Sequence, residues 1–174
     1  MHEQYFLKSK RIGFRTWSMD DMDLAIELWS DPEVTKFIGG SSSTFHAHGR
    51  MLTERSILRR YNMQYWPIFL LETGEFIGCC GLHPYQPTER IYEIGFHIKS
   101  SFWRKGYAIE ATKTVIDYAF TKLHAASIFA GHHPENIISK MLIEKLRFHY
   151  AYDEYYEPTG VDHPSYLLHA PNAK

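Results

Sequence analysis

FWRKGYAIEA, Phe102 to Ala111, joins a strand-like run, YEIGFHIKSS (Tyr92–Ser101), to a helix-like run, ATKTVIDYAFTKL (Ala111–Leu123). Two cations and a glycine stand at the junction, with aromatics on either side. Backbone N–H groups in the first turn of a helix have no intrahelical acceptor and carry partial positive charge. A loop bent at a glycine aims several of them at one anion. Gly106 has no side chain to hold a ligand away, and Ala108 keeps the next turn small. Arg104 and Lys105 add charge, and arginine binds phosphate bidentately. Arg104, Lys105, Gly106, Tyr107 and Ala108 therefore form a candidate seat for a pyrophosphate. A turn that binds nothing can have the same residues, so the rest of the chain has to decide.

Upstream, KRIGFRTW (10–17) reads as a first strand. Ser18 and Asp21 fit a helix-start capping pattern, and Met22, Ala25, Ile26 and Trp29 recur at helical spacing. Asp31-Pro32 ends that helix. GGSSST (39–44) reads as a flexible joint before a second helix, Phe45 to Tyr61. QYWPIFLLE (64–72) and FIGCCGLHPY (76–85) form a hairpin across ETGE. RIYEIGFHI (90–98) is apolar enough on both faces to be a central strand. Downstream, the helix at 106–123 has Ile109, Ile116, Ala119, Phe120 and Leu123 on one stripe. AASIFAGH (125–132) is a strand. Pro134, Glu135 and Asn136 open another helix, with Ile138, Met141, Leu142 and Leu146 expected inward. HYAYDEYY and PSYLLHA give two last strands. The order predicts one mixed α/β domain over 1–174, with about seven strands in one central sheet and about four helices.

Composition removes several function classes. The formal net charge of −1 lacks the positive bulk that drives generic nucleic-acid binding. The opening MHEQYFLKSK has no apolar central region, and no apolar run approaches the ~20 residues of a membrane span. The chain reads as cytoplasmic, with no nucleic-acid or membrane partner. Cys79 and Cys80 are adjacent in a strand, so they point to opposite faces and do not pair with each other. Both Gly-x-Gly-x-x-Gly and Gly-x-x-x-x-Gly-Lys signatures are absent.

From about Arg11 to Leu168 the chain resembles the GNAT superfamily of acetyl-CoA-dependent N-acetyltransferases. Within it, the likeness is to the RimJ/RimL-like branch that acetylates the N-termini of ribosomal proteins, and to its small-amine relatives. The matching segments are KRIGFRTWSMDDMDLAIELWSDPEV, ETGEFIGCCGL, YEIGFHIKSSFWRKGYAIEA and PENIISKMLIEKLRF, in that order. The resemblance implies the family's central, mostly antiparallel sheet. It implies acetyl-CoA as cosubstrate, with the amides of Arg104 to Ala108 on its pyrophosphate. It further implies that Phe96 and Ile98 pair through their backbone with the pantetheine arm and that Asn136 sits beside that arm. Ser139 takes the position from which this branch contacts the leaving sulfur. Two family positions differ: Arg147 precedes Phe148 where a glycine is usual, and Ile143 stands where many members have a tyrosine acid. Trp103 is an aromatic of the kind this branch commonly places there.

The implied reaction is direct acetyl transfer to a primary amine, on a small molecule or at a protein N-terminus. Its main tasks are orientation of amine against thioester and hydrogen bonding to the developing oxyanion, the latter by an N–H of the Tyr92–Ile98 strand. An α-amine, with pKa about 8, needs less help from a base than a lysine amine at about 10.4. Glu93 is the first candidate base, with His97 and His83 behind it. A covalent Cys79 or Cys80 has no partner pattern to support it. The pairs His46/His48 and His132/His133 lack the spacing of a metal site, so no metal is expected. The first two helices, the 39–44 joint and the acidic, tyrosine-rich YDEYYEPTGVD (152–162) are expected to shape the acceptor pocket. The second reading is an acyl-CoA-binding module that has kept the fold and lost the chemistry. A monomer and a homodimer both fit.

Overall fold

The computed structural model describes residues 4–40 and 42–171. Residues 1–3, 41 and 172–174 of the expected 1–174 domain lie outside the described residues, and Ser41 belongs to the 39–44 joint. In chain order the elements are β1 (Leu7–Lys8), β2 (Ile12–Phe14), α1 (Met22–Trp29), α2 (Pro32–Thr35), α3 (Thr44–Tyr61), β3 (Tyr65–Leu70) and β4 (Phe76–Gln86). There follow β5 (Ile91–Ile98), α4 (Tyr107–Thr121), β6 (Ser127–Gly131), α5 (Ile137–Lys145), β7 (His149–Tyr156) and β8 (Val161–His169). Among the described residues, eight strands form one sheet in the order β1-β2-β3-β4-β5-β6-β8-β7. All neighbours are antiparallel except β5 and β6.

The mixed α/β architecture matches the sequence reading, with one strand and one helix more than expected. β1 has two residues, too few to show alternation. α2 hides behind Asp31-Pro32: Pro32 opens this helix rather than only ending the previous one. Asp31 caps it by accepting the Glu33 N–H at 2.9 Å. The first strand shrinks to 12–14, because Ser9 to Arg11 form a turn that reaches across to α4. The Ser18/Asp21 cap forms as read, the Asp21 carboxylate accepting the Ser18 N–H at 2.7 Å.

Adjacent strand residues alternate faces, and the two faces hold separate cores. Cys80, Leu82 and Ile98 join Ala111 and Val115 of α4 on one side. Cys79, Tyr65 and Phe69 join Trp29 of α1 and Met51 of α3 on the other. The two cysteines are buried, unpaired and on opposite faces, as the sequence requires. No helix among the described residues is long and apolar enough to cross a membrane.

α5 corrects one expectation. Ile138 and Met141 are 74% and 60% exposed, while Ile143 is buried and Leu142 and Leu146 are half-buried. A nine-residue helix with apolar residues on two adjacent stripes leaves the phase to tertiary packing. At its exit Arg147 adopts φ 64, the left-handed conformation that glycine takes without steric cost. An L-residue there is strained by about 1–2 kcal/mol. Arg147→Gly is therefore expected to raise unfolding free energy by about 0.5–1 kcal/mol, after the glycine's extra unfolded-state entropy. Chemical denaturation with an unchanged m-value checks this.

Candidate active site

The site begins where the sheet comes apart. β5 and β6 pair at Ile91–Ser127, Tyr92–Ile128 and Glu93–Phe129, and there the ladder stops. β4 follows β5 on to Ile98, and β8 follows β6 on to Gly131. A wedge therefore opens in the middle of the sheet with its apex at Glu93. The freed β6-facing edge of β5, residues 94–98, contains Phe96 and Ile98. Exposure records the wedge: Ile91 to His97 are only half-buried at the sheet's centre, whereas Phe76 to Leu82 next door are fully buried.

The FWRKGY junction lies at the open end. Arg104 (φ 62) and Gly106 (φ 79) are both left-handed, folding the chain tightly before α4 begins at Tyr107. A Cβ built on Gly106 would meet only the Arg11 Nη2, at 3.5 Å, so the loop's face is open. Side chains fix the loop from behind. Trp103 Nε1–H donates to the Ile98 carbonyl at 2.7 Å, and Arg11 Nη1–H to the Lys105 carbonyl at 3.2 Å. Glu110 accepts from Ser9 Oγ (2.7 Å), Arg11 N (2.8 Å) and Arg11 Nε (2.6 Å). Partial burial raises this carboxyl's pKa, but those hydrogen bonds outweigh it and leave the group below its usual range. Arg11 thus neutralises a carboxylate that would otherwise repel an anion at the helix start. Lys105 Nζ sits 5.0 Å from the Phe102 ring centroid. Asn136 caps α5, its Oδ1 accepting the Ser139 N–H at 3.1 Å, which sets Ser139 in the first turn. Ile143, one turn further on, faces the core.

Glu93, Gly95 and His97 point to the other face, toward α1 and α3. Burial raises the Glu93 pKa; His83, its cross-strand partner, opposes this, and Glu154 and Glu54 add to it. His83 Nε2 lies 2.8 and 3.0 Å from the two carboxylate oxygens of buried Glu54, which also accepts the Tyr65 N–H at 2.7 Å. The His83 ring stacks on Tyr65 with centroids 3.7 Å apart and planes 4° from parallel. His97 is a poor base here. Trp29 Nε1–H occupies its Nδ1 at 2.9 Å, and burial, with Arg50 and His83, pushes its pKa down to about 3. Burial raises both cysteine thiols, so neither is a thiolate nucleophile at neutral pH.

The β7–β8 hairpin closes the far side. Tyr85 Oη donates to Glu154 at 2.9 Å and lies 2.6 Å from Tyr152 Oη, and its ring stacks on Phe129 at 4.0 Å. Pro158 packs against Gly39, whose carbonyl accepts from Arg50 Nη2 at 2.8 Å. The segments expected to shape an acceptor pocket do converge. The paired histidines have local partners: His46 Nδ1 meets the cap residue Ser43 Oγ at 2.8 Å, and His132 stacks on Tyr166. Sequence reasoning missed Glu54 and Tyr65. Glu54 lies in TERSILRRY, which reads as a solvated basic face, and Tyr65 in a strand apolar on both sides.

The family described as Acetyltransferase (GNAT) domain matches residues 11–149. The chain belongs to the GNAT acetyltransferase family. This acetyltransferase is 34% identical over 146 residues to an uncharacterized N-acetyltransferase, p20, of Bacillus licheniformis, covering 82% of this chain and 81% of the relative. A GNAT-family acetyltransferase structure from Bacillus anthracis superposes with TM-score 0.81 at 24% identity, over 94% of this chain and 97% of that one. Mycobacterium smegmatis RimJ, solved in complex with CoA-disulfide, superposes with TM-score 0.77 at 21% identity, over 91% and 82%. At these identities the two structures establish the acetyltransferase's fold, and the family match carries its membership. Members of the family use acetyl-CoA.

Proposed function

We propose that this acetyltransferase moves the acetyl group of acetyl-CoA to a primary amine, either a protein N-terminal α-amine or a small-molecule amine, by direct transfer. The observation that carries this reading is the wedge between β5 and β6, with an open, doubly left-handed loop at one end and a raised-pKa carboxyl at its apex. A thioester on a long polar arm needs a slot with free backbone hydrogen-bonding groups, and the freed edge of β5 supplies one. In this reading the amides of Arg104, Lys105, Gly106, Tyr107 and Ala108 hold the pyrophosphate. The backbone of Phe96 and Ile98 pairs with the pantetheine arm, and Asn136 borders it.

The chemistry then divides between the two faces. Glu93 takes a proton from the incoming ammonium, leaving a neutral amine. The amine nitrogen bonds to the thioester carbon while a β5 N–H steadies the oxyanion. The C–S bond breaks and the sulfur leaves as thiolate; the acylated nitrogen sheds its extra proton, which reaches the thiolate through water or the Ser139 hydroxyl, positioned by Asn136. The relative RimJ, in its complex with CoA-disulfide, supports a coenzyme in this fold. The test is release of free CoA thiol from acetyl-CoA across a panel of primary amines: N-terminal dipeptides, polyamines and aminoglycosides. Amine-dependent release supports transfer. Acetyl-CoA binding with no release for any amine would favour a binding module.

A further inference from the structure

The Tyr65 ring is packed on two sides beside the wedge, and among the described residues its hydroxyl has no hydrogen-bond partner. The residue is 9% exposed. Its N–H goes to Glu54 and its carbonyl accepts Trp17 Nε1–H at 2.7 Å. One ring face is covered by His83, itself locked by Glu54, and His97 packs edge-on with centroids 5.8 Å apart. Among the described residues its Oη makes no hydrogen bond. No side-chain oxygen or nitrogen among the described residues is both buried and unpaired, so the Tyr65 Oη keeps an accessible surface although its ring is packed: it is a hydroxyl held in place and open to a ligand. The Tyr65 ring lies directly over Gly95: a Cβ there would fall on Cζ and Oη. Gly95 belongs to the freed stretch of β5, two residues past the apex residue Glu93.

We propose that Tyr65 is the anchor for the acceptor: its hydroxyl binds the incoming primary amine over Gly95, beside Glu93, and turns the nitrogen toward the thioester carbonyl. This rests on the acetyl-transfer reading and adds the contact that reading lacks on the amine side. Burial, then Glu93, Glu54 and Tyr156, raise the phenol well above its usual range, so it stays protonated throughout. The ammonium donates one N–H to Tyr65 Oη and gives one proton to the Glu93 carboxylate. The C–N bond then forms and the C–S bond breaks, the proton shed by the acylated nitrogen passes through water to the leaving thiolate, and Tyr65 ends with the proton it began with. A primary amine fits because the site has one carboxylate and one hydroxyl to meet its hydrogens, with the lone pair left to attack.

Tyr65→Phe removes one oxygen and keeps the ring on Gly95 and the stack on His83. With acetyl-CoA as donor and glycinamide as the amine probe, the variant is expected to keep melting temperature and acetyl-CoA affinity within about twofold, while kcat/KM for glycinamide falls about tenfold to a hundredfold. A ring that served packing alone would leave kcat/KM, melting temperature and donor affinity all unchanged, because phenylalanine keeps that packing. The second measurement uses protein labelled with carbon-13 at tyrosine Cζ, with CoA present. Adding glycinamide should shift, saturably, the one resonance missing from Tyr65→Phe. An unchanged kcat/KM in the variant, or no shift of that resonance at saturating glycinamide, overturns the proposal. Wild type that binds no acetyl-CoA, or that binds it without acetylating glycinamide, counts against the transfer reading or the probe as an acceptor. The resonance titration then decides on Tyr65 by itself.

Discussion

Gly106→Glu is expected to abolish acetyl-CoA binding, raising Kd at least about a hundredfold, in a chain that still folds. Two effects act together. The position is left-handed, so any side chain adds strain of about 1–2 kcal/mol. That is small against a stability of about 5–15 kcal/mol, and the surrounding space is open, so the fold survives. The carboxylate would also lie where the pyrophosphate is proposed to bind, and juxtaposed like charges cost several kcal/mol, which is the dominant effect. Calorimetric titration of acetyl-CoA into both proteins, with circular dichroism to confirm folding, gives the answer. Unaltered affinity in the variant would move the donor away from the Arg104–Ala108 loop.

The second large effect is expected from Glu93→Gln, a loss of about 10²–10⁴ in kcat/KM for the amine with donor affinity unchanged. The pH profile carries the mechanism. Burial raises the Glu93 pKa above its usual value, so in wild type the base is protonated and idle at low pH. Activity climbs as pH rises through that raised value and the carboxylate forms. Glutamine cannot ionise, so the variant should lose this acid limb rather than shift it. A limb that persists at the same pH in Glu93→Gln would place the base elsewhere. His83, with Glu54 behind it, would then be the group to test.

The junction was legible because its chemistry is local. A glycine, a small residue two positions on and two cations between a strand and a helix are all in FWRKGYA, and the left-handed Gly106 and open loop follow from them. The opposite faces of Cys79 and Cys80 follow from strand alternation alone. Arg147 was legible as a departure, and the chain keeps the left-handed exit at that position without the glycine. What stayed hidden is tertiary. β1 needs β2 to exist as a strand, and the phase of α5 is set by the sheet beneath it. Glu54 looks like one charge on a basic helix until His83 and the Tyr65 N–H meet it. Tyr65 reads as a core residue, and its hydroxyl becomes notable only when the β3 ring is seen lying on a β5 glycine.

The sheet order has a consequence for the timing of synthesis. β6 is complete at residue 131, but its outer neighbour β8 begins only at residue 161. At about 5–20 residues per second, that strand edge waits about 2–6 s on the ribosome with its backbone groups unpaired. The edge is five residues long, SIFAG, and apolar at its centre. Slowing translation between 131 and 161 should therefore raise aggregation of the nascent chain more than slowing it elsewhere. The hairpin that finally covers this edge also brings Tyr152, Glu154 and Pro158 into place, so the growing chain gains the wall proposed for the acceptor last.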